Sequence, residues 1–254
     1  MLWGSMGTIS DEAVCIRRWD FSETSQTVSL LTRRHGVLRG LAKGAKREKS
    51  TFSGGFDLLH RGNIVAIVKP GRDLATLTEW HLIAPCWAVR KSLAANRVGL
   101  YVVDLVHHML TDADPHPGLY EALMDMLDAL DADAPAINLA LLRFQWTLLR
   151  ECGYQPELAH DAQNGETLPA GGTLAFSPQA GGVVADTGGP DRWRVRRATI
   201  DALQAIVGGE SERKKISPAA IDRANRLLAA YLRELMGQEL ATMAWLTGTD
   251  LGGR

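Results

Sequence analysis

The chain has 254 residues, 46% of them apolar and 22% charged, a make-up that suits one large globular domain or two to three small ones. Its formal net charge is −1, so bulk charge excludes a strongly cationic or anionic protein, and only the placement of charge can point to a partner. Cys15, Cys86 and Cys152 are far apart and form no CxxC pair, which excludes a disulfide framework and a simple zinc knuckle and leaves reduced thiols as the expectation.

Residues 10–84 have the texture of β-structure. Ala13 to Arg18, Thr27 to Thr32, Val37 to Leu41, Asn63 to Lys69 and Leu74 to Thr78 are short runs rich in Val, Ile, Leu and Thr. Turn signals at Asp20–Ser22, Gly36, Gly54–Gly55 and Pro70–Gly71 separate them. Val14/Ile16 and Ile64/Ala66/Val68 alternate with the period of two expected of half-buried strands. A hairpin is expected through Arg34-His35-Gly36. Strands so few and so short predict a small closed barrel of the OB type.

From Pro85 the period changes to that of helices. Trp87 to Asp112 carries apolar residues three and four apart, and so do the runs from Leu119 to Leu130 and from Leu139 to Leu149. Pro115, Pro117 and Pro135 separate them. Residues 153–193 are rich in Gly, Pro, Ala and Thr and predict an irregular, turn-rich insert. Helical spacing returns from Arg197 to Leu246, where Ser217-Pro218 has the form of a helix start, and Thr247–Arg254 is expected to fray. The expected division is a barrel over residues 1–84 and a helical domain over 85–254 that contains the insert.

No run approaches about 18 apolar residues, so no membrane span is expected. The N-terminal stretch lacks a basic start followed by an apolar core, so no secretory signal is expected either. A cytoplasmic protein is the resulting expectation.

Charge is concentrated. Residues 33–50 hold seven Lys/Arg and one Glu: Arg33, Arg34, Arg39, Lys43, Lys46, Arg47 and Lys49 against Glu48. Gly36, Gly40 and Gly44 interrupt them, so that cations combine with backbone N–H groups open to close approach, which is what phosphate contacts require. These residues, with His35, are the expected nucleic-acid contacts. Among the nearby aromatics Trp19, Phe21, Phe52 and Phe56, Phe52 is the preferred stacking platform for an unpaired base. Residues 104–134 hold eight Asp/Glu and no Lys or Arg, a strip that would repel phosphate. A second basic set comprises Arg192, Arg194, Arg196, Arg197, Arg213, Lys214 and Lys215.

Catalytic patterns are absent. Gly40 to Lys46 lacks P-loop spacing, and neither GxSxG nor HExxH occurs. Asp104 and His108 share a helix face, but a third ligand is missing. No enzyme, metal or cofactor is expected. A protein-interaction adaptor with incidental nucleic-acid contact is the alternative.

Thr32, His35-Gly36, Leu38, Gly40, Ala42-Lys43-Gly44-Ala45, Arg47 and Lys49-Ser50 form a long ordered pattern. With Leu74 to Glu79, Gly153-Tyr154-Gln155-Pro156 and Phe176 to Gly182, it resembles the RecO family of bacterial recombination mediators over most of the chain. The resemblance implies an α+β architecture: an N-terminal OB-fold, a helical domain and a zinc-ribbon-like insert. It implies binding of single- and double-stranded DNA near the nucleoid and annealing of complementary strands in gap and break repair. It further implies partnership with RecR, contact with the acidic tail of single-strand-binding protein, and help in loading RecA. Where such relatives carry CxxC pairs, this chain reads Ala159-His160-Asp161-Ala162-Gln163 and Val183-Val184-Ala185-Asp186-Thr187. The insert is therefore expected to lack zinc and to rest on Leu168, Leu174, Phe176 and Val184.

Overall fold

A computed structural model describes residues 7–47, 49–169, 174–189, 191–207 and 216–247. Arg213, Lys214 and Lys215 of the second basic set lie outside the described residues, as do the last seven residues of the C-terminal tail, 248–254.

The N-terminal strands are β1 (Gly7–Asp20), β2 (Gln26–Thr32), β3 (Gly36–Ala42), β4 (Phe52–Ser53), β5 (Arg61–Val68) and β6 (Ala75–Ala84). Antiparallel pairing runs β3-β2-β1-β5-β6, and a parallel β3–β6 pairing joins the ends into a barrel. This is the OB-fold connectivity expected. Closure is tight because Gly40 lacks a side chain: a Cβ there would lie 2.6 Å from Leu77 Cγ. The core alternates along each strand, with Ala13, Cys15, Val28, Leu30, Leu38, Ile64, Ala66 and Val68 inside.

Two strand features depart from the sequence reading. β1 is much longer than Ala13–Arg18, and a bulge between Cys15 and Arg17 breaks its alternation. Val14 and Ile16 are fully buried instead of half-buried, because the outer face of β1 is covered by a helix.

That helix is α2 (Leu93–Met109). It follows the short α1 (Ala88–Lys91) and precedes α3 (Pro117–Ala129). The single helix read from Trp87 to Asp112 is split at Ser92, whose extended backbone (φ −131°, ψ 128°) lets its Oγ accept from the Ala95 N–H. Compactness divides the chain after Asp131, so the first unit includes α1 to α3 with the barrel; β6 ends at Ala84 and α1 begins at Ala88.

The second unit contains α4 (Ala134–Glu151), α5 (Arg197–Val207) and α6 (Pro218–Met236), then a 3₁₀ turn (Ala241–Met243) and α7 (Ala244–Thr247). Ser217 caps α6 with Pro218 at its first turn, as the sequence indicates. α4 and α6 pack together through a buried polar pair: Gln145 Nε2 donates to Asn225 Oδ1 at 2.8 Å.

The insert is a small sheet of β7 (Leu174–Ser177), β8 (Gly182–Ala185) and β9 (Trp193–Val195) in the order β8-β7-β9. Leu174, Phe176 and Val184 are fully buried, and Phe176 stacks on Trp193 and meets the Tyr231 edge. A polar clasp joins the two places where a zinc ribbon would hold cysteines. Asp161 accepts from the N–H groups of Ala185 (2.8 Å) and Gln163 (2.9 Å). Arg192 donates to the Ala185 carbonyl and to Gln163 Oε1, each at 2.6 Å. Burial pushes the Asp161 carboxyl up, but these N–H donors outweigh it and hold the group below the usual carboxylate range. The donors present do not fit a four-ligand zinc site, since the carboxylate is already spent on backbone N–H groups. Asp161→Ala is expected to open the insert locally, at a cost of about 2 kcal/mol. Limited proteolysis checks this: cleavage within residues 174–195 should accelerate while α4 and α6 stay protected.

Candidate nucleic-acid interface

The hairpin turn between β2 and β3 is the most specific stretch of the sequence, and its geometry explains why. Thr32 Oγ1 accepts from the His35 N–H (3.0 Å) and donates to the Gly36 carbonyl (2.8 Å). Gly36 adopts φ +70°, and a Cβ on it would lie 2.1 Å from the Asp114 carbonyl oxygen, so only glycine fits. Beneath the turn sits Asp11 of β1, its side chain 2% exposed. It accepts from the Arg34 N–H (2.9 Å), Arg34 Nε (3.2 Å) and the Glu12 N–H (2.9 Å), and contacts His35 Nδ1 at 2.6 Å. Burial raises the Asp11 pKa, but hydrogen bonds from His35 and Arg34 outweigh it and hold the carboxyl below its ordinary value.

Most of the expected contacts are therefore already engaged. Arg34 and His35 serve Asp11. Arg33 pairs with Glu121 at 2.7 Å and Arg39 with Asp112 at 3.0 Å, so the acidic strip neutralises part of the basic segment. Lys46 pairs with Asp20 at 2.6 Å. The Arg33–Glu121 and Lys46–Asp20 pairs are largely exposed and therefore weak. The glycine N–H groups are not open to a phosphate as expected. Gly36 and Gly40 lie in the β2–β3 ladder, and the Gly44 N–H donates to Ser25 Oγ at 3.1 Å.

Phe52 requires a correction. It is not a stacking platform: it is 6% exposed and packs into the barrel core against Phe56, which in turn meets Trp80 at 4.9 Å between ring centroids. Of the four aromatics near the basic segment, the exposed ones are Trp19 (46%) and Phe21 (63%), at the end of β1.

Lys43, Arg47 and Lys49 are exposed, and among the described residues none of them makes an ion pair. The turn that carries them is anchored to the β1–β2 loop through Gly44 and through the Lys46 N–H, which donates to the Thr24 carbonyl at 3.0 Å. Lys43 also lines a groove of ≈ 540 Å³ with Leu41, Ile67, Lys69, Arg72 and Leu74, the last three exposed. Lys69 and Arg72 were missed in the sequence. Their signal was the Pro70-Gly71 turn with a cation on either side.

The Asp104/His107/His108 face is structural. Asp104 pairs with Arg17 of β1, His108 Nδ1 lies 2.8 Å from the Asp104 carbonyl, and His107 packs its ring against Trp19 and His108. Burial, with Arg17 and His108 nearby, lowers the His107 pKa to about 4. Among the described residues no three His, Cys, Asp or Glu side chains converge on a metal-sized site, and no helix is long and apolar enough to cross a membrane.

These features define an OB-barrel protein with a cationic groove on the barrel and a helical region beyond it. Residues 6–86 match the family model for the N-terminal part of recombination protein O, and residues 90–244 match the model for its C-terminal part. A protein of Rhodopirellula baltica named DNA repair protein RecO is 34% identical over 83% of this chain and 77% of its own length. Proteins of the same name from an Anaeromyxobacter strain and from Myxococcus xanthus are 29% and 28% identical over 91% and 97% of this chain, and over 92% and 100% of their own lengths. The chain belongs to the RecO family.

The Asp11 arrangement yields a pH dependence. Its folded-state pKa is lowered, so its contribution is present above the unfolded value of about 3.9 and is lost as pH falls through the lower folded value. Asp11→Asn should cost about 1–3 kcal/mol at neutral pH, and the gap to wild type should shrink as pH falls below about 4. Urea denaturation of both proteins over that range is the measurement.

Proposed function

We propose that the chain acts in DNA repair as a DNA-binding recombination mediator, with no catalytic activity of its own. It binds single- and double-stranded DNA, anneals complementary strands, and helps load RecA on DNA coated by single-strand-binding protein. RecR and the acidic tail of single-strand-binding protein are its protein partners, and RecA is served indirectly. It works in the cytoplasm, next to the nucleoid. Family membership supports the repair role. The observation that carries the site is the trio of Lys43, Arg47 and Lys49, exposed and without ion pairs among the described residues, continued by Lys69 and Arg72. Phosphate contact by such side chains gives affinity without sequence preference.

The adaptor reading gains less support. Asp104, Asp112, Glu121 and Asp131 of the acidic strip already pair with cations of the same unit, which leaves less of it for a basic partner.

Replacing Lys43, Arg47 and Lys49 with Ala should lower single-strand affinity at least about ten-fold at low salt and flatten the plot of log K against log salt by about 2. Lys46→Ala alone should have a smaller effect, because Asp20 already competes for that cation. Anisotropy titrations across a salt series decide the matter, and an unchanged slope in the triple variant would remove the loop from the site.

A further inference from the structure

Two of the acids that meet the basic hairpin add little to the fold. Arg33 and Glu121 touch at 2.7 Å with about half of each side chain exposed. Water screens such a pair, and ordering two long side chains offsets what attraction is left. Asp112 is a poor stabiliser for a different reason. Arg39 Nε lies 3.0 Å from its Oδ2, whereas its Oδ1 is buried and has no hydrogen-bond partner among the described residues. Burial pushes the Asp112 carboxyl above its ordinary value in spite of Arg39, and Asp73 adds to the rise. Desolvation of this kind can cancel what an ion pair contributes.

The main chain, not the arginine, fixes the position of Asp112. The segment between α2 and α3 runs beside the edge of β3. Asp112 forms a parallel bridge with Val37, and the Ala113 N–H donates to the Val37 carbonyl at 2.9 Å. Ala113 holds φ +59°, a conformation that a residue with a Cβ seldom adopts, and Asp114 passes over Gly36 where no other residue would fit. A strained backbone thus delivers a poorly solvated carboxylate to Arg39. Strain kept where it adds no stability points to a role outside folding.

The cations held in this way continue the open ones. Arg39 is an outward residue of β3, four before Lys43, so about 13 Å of strand separates the two. Arg33 lies at the other end of the same hairpin. A chain of phosphates that engages Lys43 and Arg47 meets Arg39 next, where a carboxylate already stands in the place of a phosphate.

We propose that Asp112 and Glu121 are an internal competitor, an autoinhibitory contact that occupies Arg39 and Arg33 and holds the affinity for nucleic-acid phosphates below what the cations of the barrel could deliver. The proposal rests on the DNA-binding reading above and deepens it by adding regulation. Contact at Lys43, Arg47 and Lys49 displaces no ion pair, whereas contact at Arg39 and Arg33 must first displace a carboxylate. The grip is therefore graded, and a strand held by the open cations alone leaves readily.

The test uses the full chain and an oligothymidine of about fifteen nucleotides, read by anisotropy across a salt series. The Asp112→Asn/Glu121→Gln variant should bind about five- to ten-fold more tightly at low salt, and the plot of log K against log salt should steepen by about 1.4, because each freed cation adds about 0.7. The Asp125→Asn/Asp128→Asn variant makes the same change in net charge on α3, at exposed acids without ion pairs among the described residues. It should gain about two-fold or less, with the slope unchanged. Arg39→Gln should cost about two-fold or less in the wild-type chain, yet cancel the gain that Asp112→Asn brings. If the double variant melts early, Glu121→Gln alone carries the test, since its pair is half exposed: a gain of about three-fold and a slope steeper by about 0.7 are expected, and their absence overturns the proposal. No gain in the folded double variant, or an equal gain in the Asp125/Asp128 variant, overturns it as well, while binding by the wild type leaves the DNA-binding reading standing. A wild-type chain that fails to bind oligothymidine at low salt removes that reading and the competitor with it.

Discussion

The barrel's outer surface depends on one buried carboxylate. Asp11 of β1 receives Arg34 and His35 from the β2–β3 turn, and so ties the hairpin to the strand beside it. The turn sets the register of β3 on β2, and β3 closes the barrel on β6 at Gly40. A slip of one residue would exchange core and surface along β3, sending Leu38 and Ala42 outward and Leu41 inward. The cost of burying a charge at position 11 is offset mainly by donors that this turn supplies, with the Glu12 N–H of β1.

This tie also explains how the basic segment divides. Its first half, Arg33 to Arg39, is part of the structure: each cation there meets a carboxylate of β1, of α3 or of the segment between α2 and α3. Its second half, Lys43 to Lys49, stands on a turn pinned to the β1–β2 loop and keeps most of its charge facing solvent. The helices of the first unit therefore do two jobs. They cover the upper part of the barrel's outer face, and they neutralise the cations beneath them, so that positive potential is concentrated at the rim the helices leave open.

Much of this was legible in the residues. The alternation of Ile64, Ala66 and Val68 gave β5 its inward face, and Ser217-Pro218 marked the start of α6. The glycines and cations of 33–50 marked the right stretch of chain. What failed to show was pairing between distant segments. Nothing local says that Arg33 meets Glu121, or that α2 buries Val14 and Ile16. Phe52 was misread for a related reason: β4 has only two residues, too few for any periodicity, and its partner is Trp80 on β6. The bulge after Cys15 hid the length of β1, and with it the outward placing of Trp19.

The clasp in the insert has a consequence of another kind. Where a metal-bound ribbon depends on four thiolates, this sheet is joined by one carboxylate, one guanidinium and main-chain groups. Such a joint involves no electron transfer and no ion taken from the medium. The groups that form it can gain or lose protons, but neither oxidation of thiols nor withdrawal of a metal acts on them, whereas both act on a cysteine-bound ribbon.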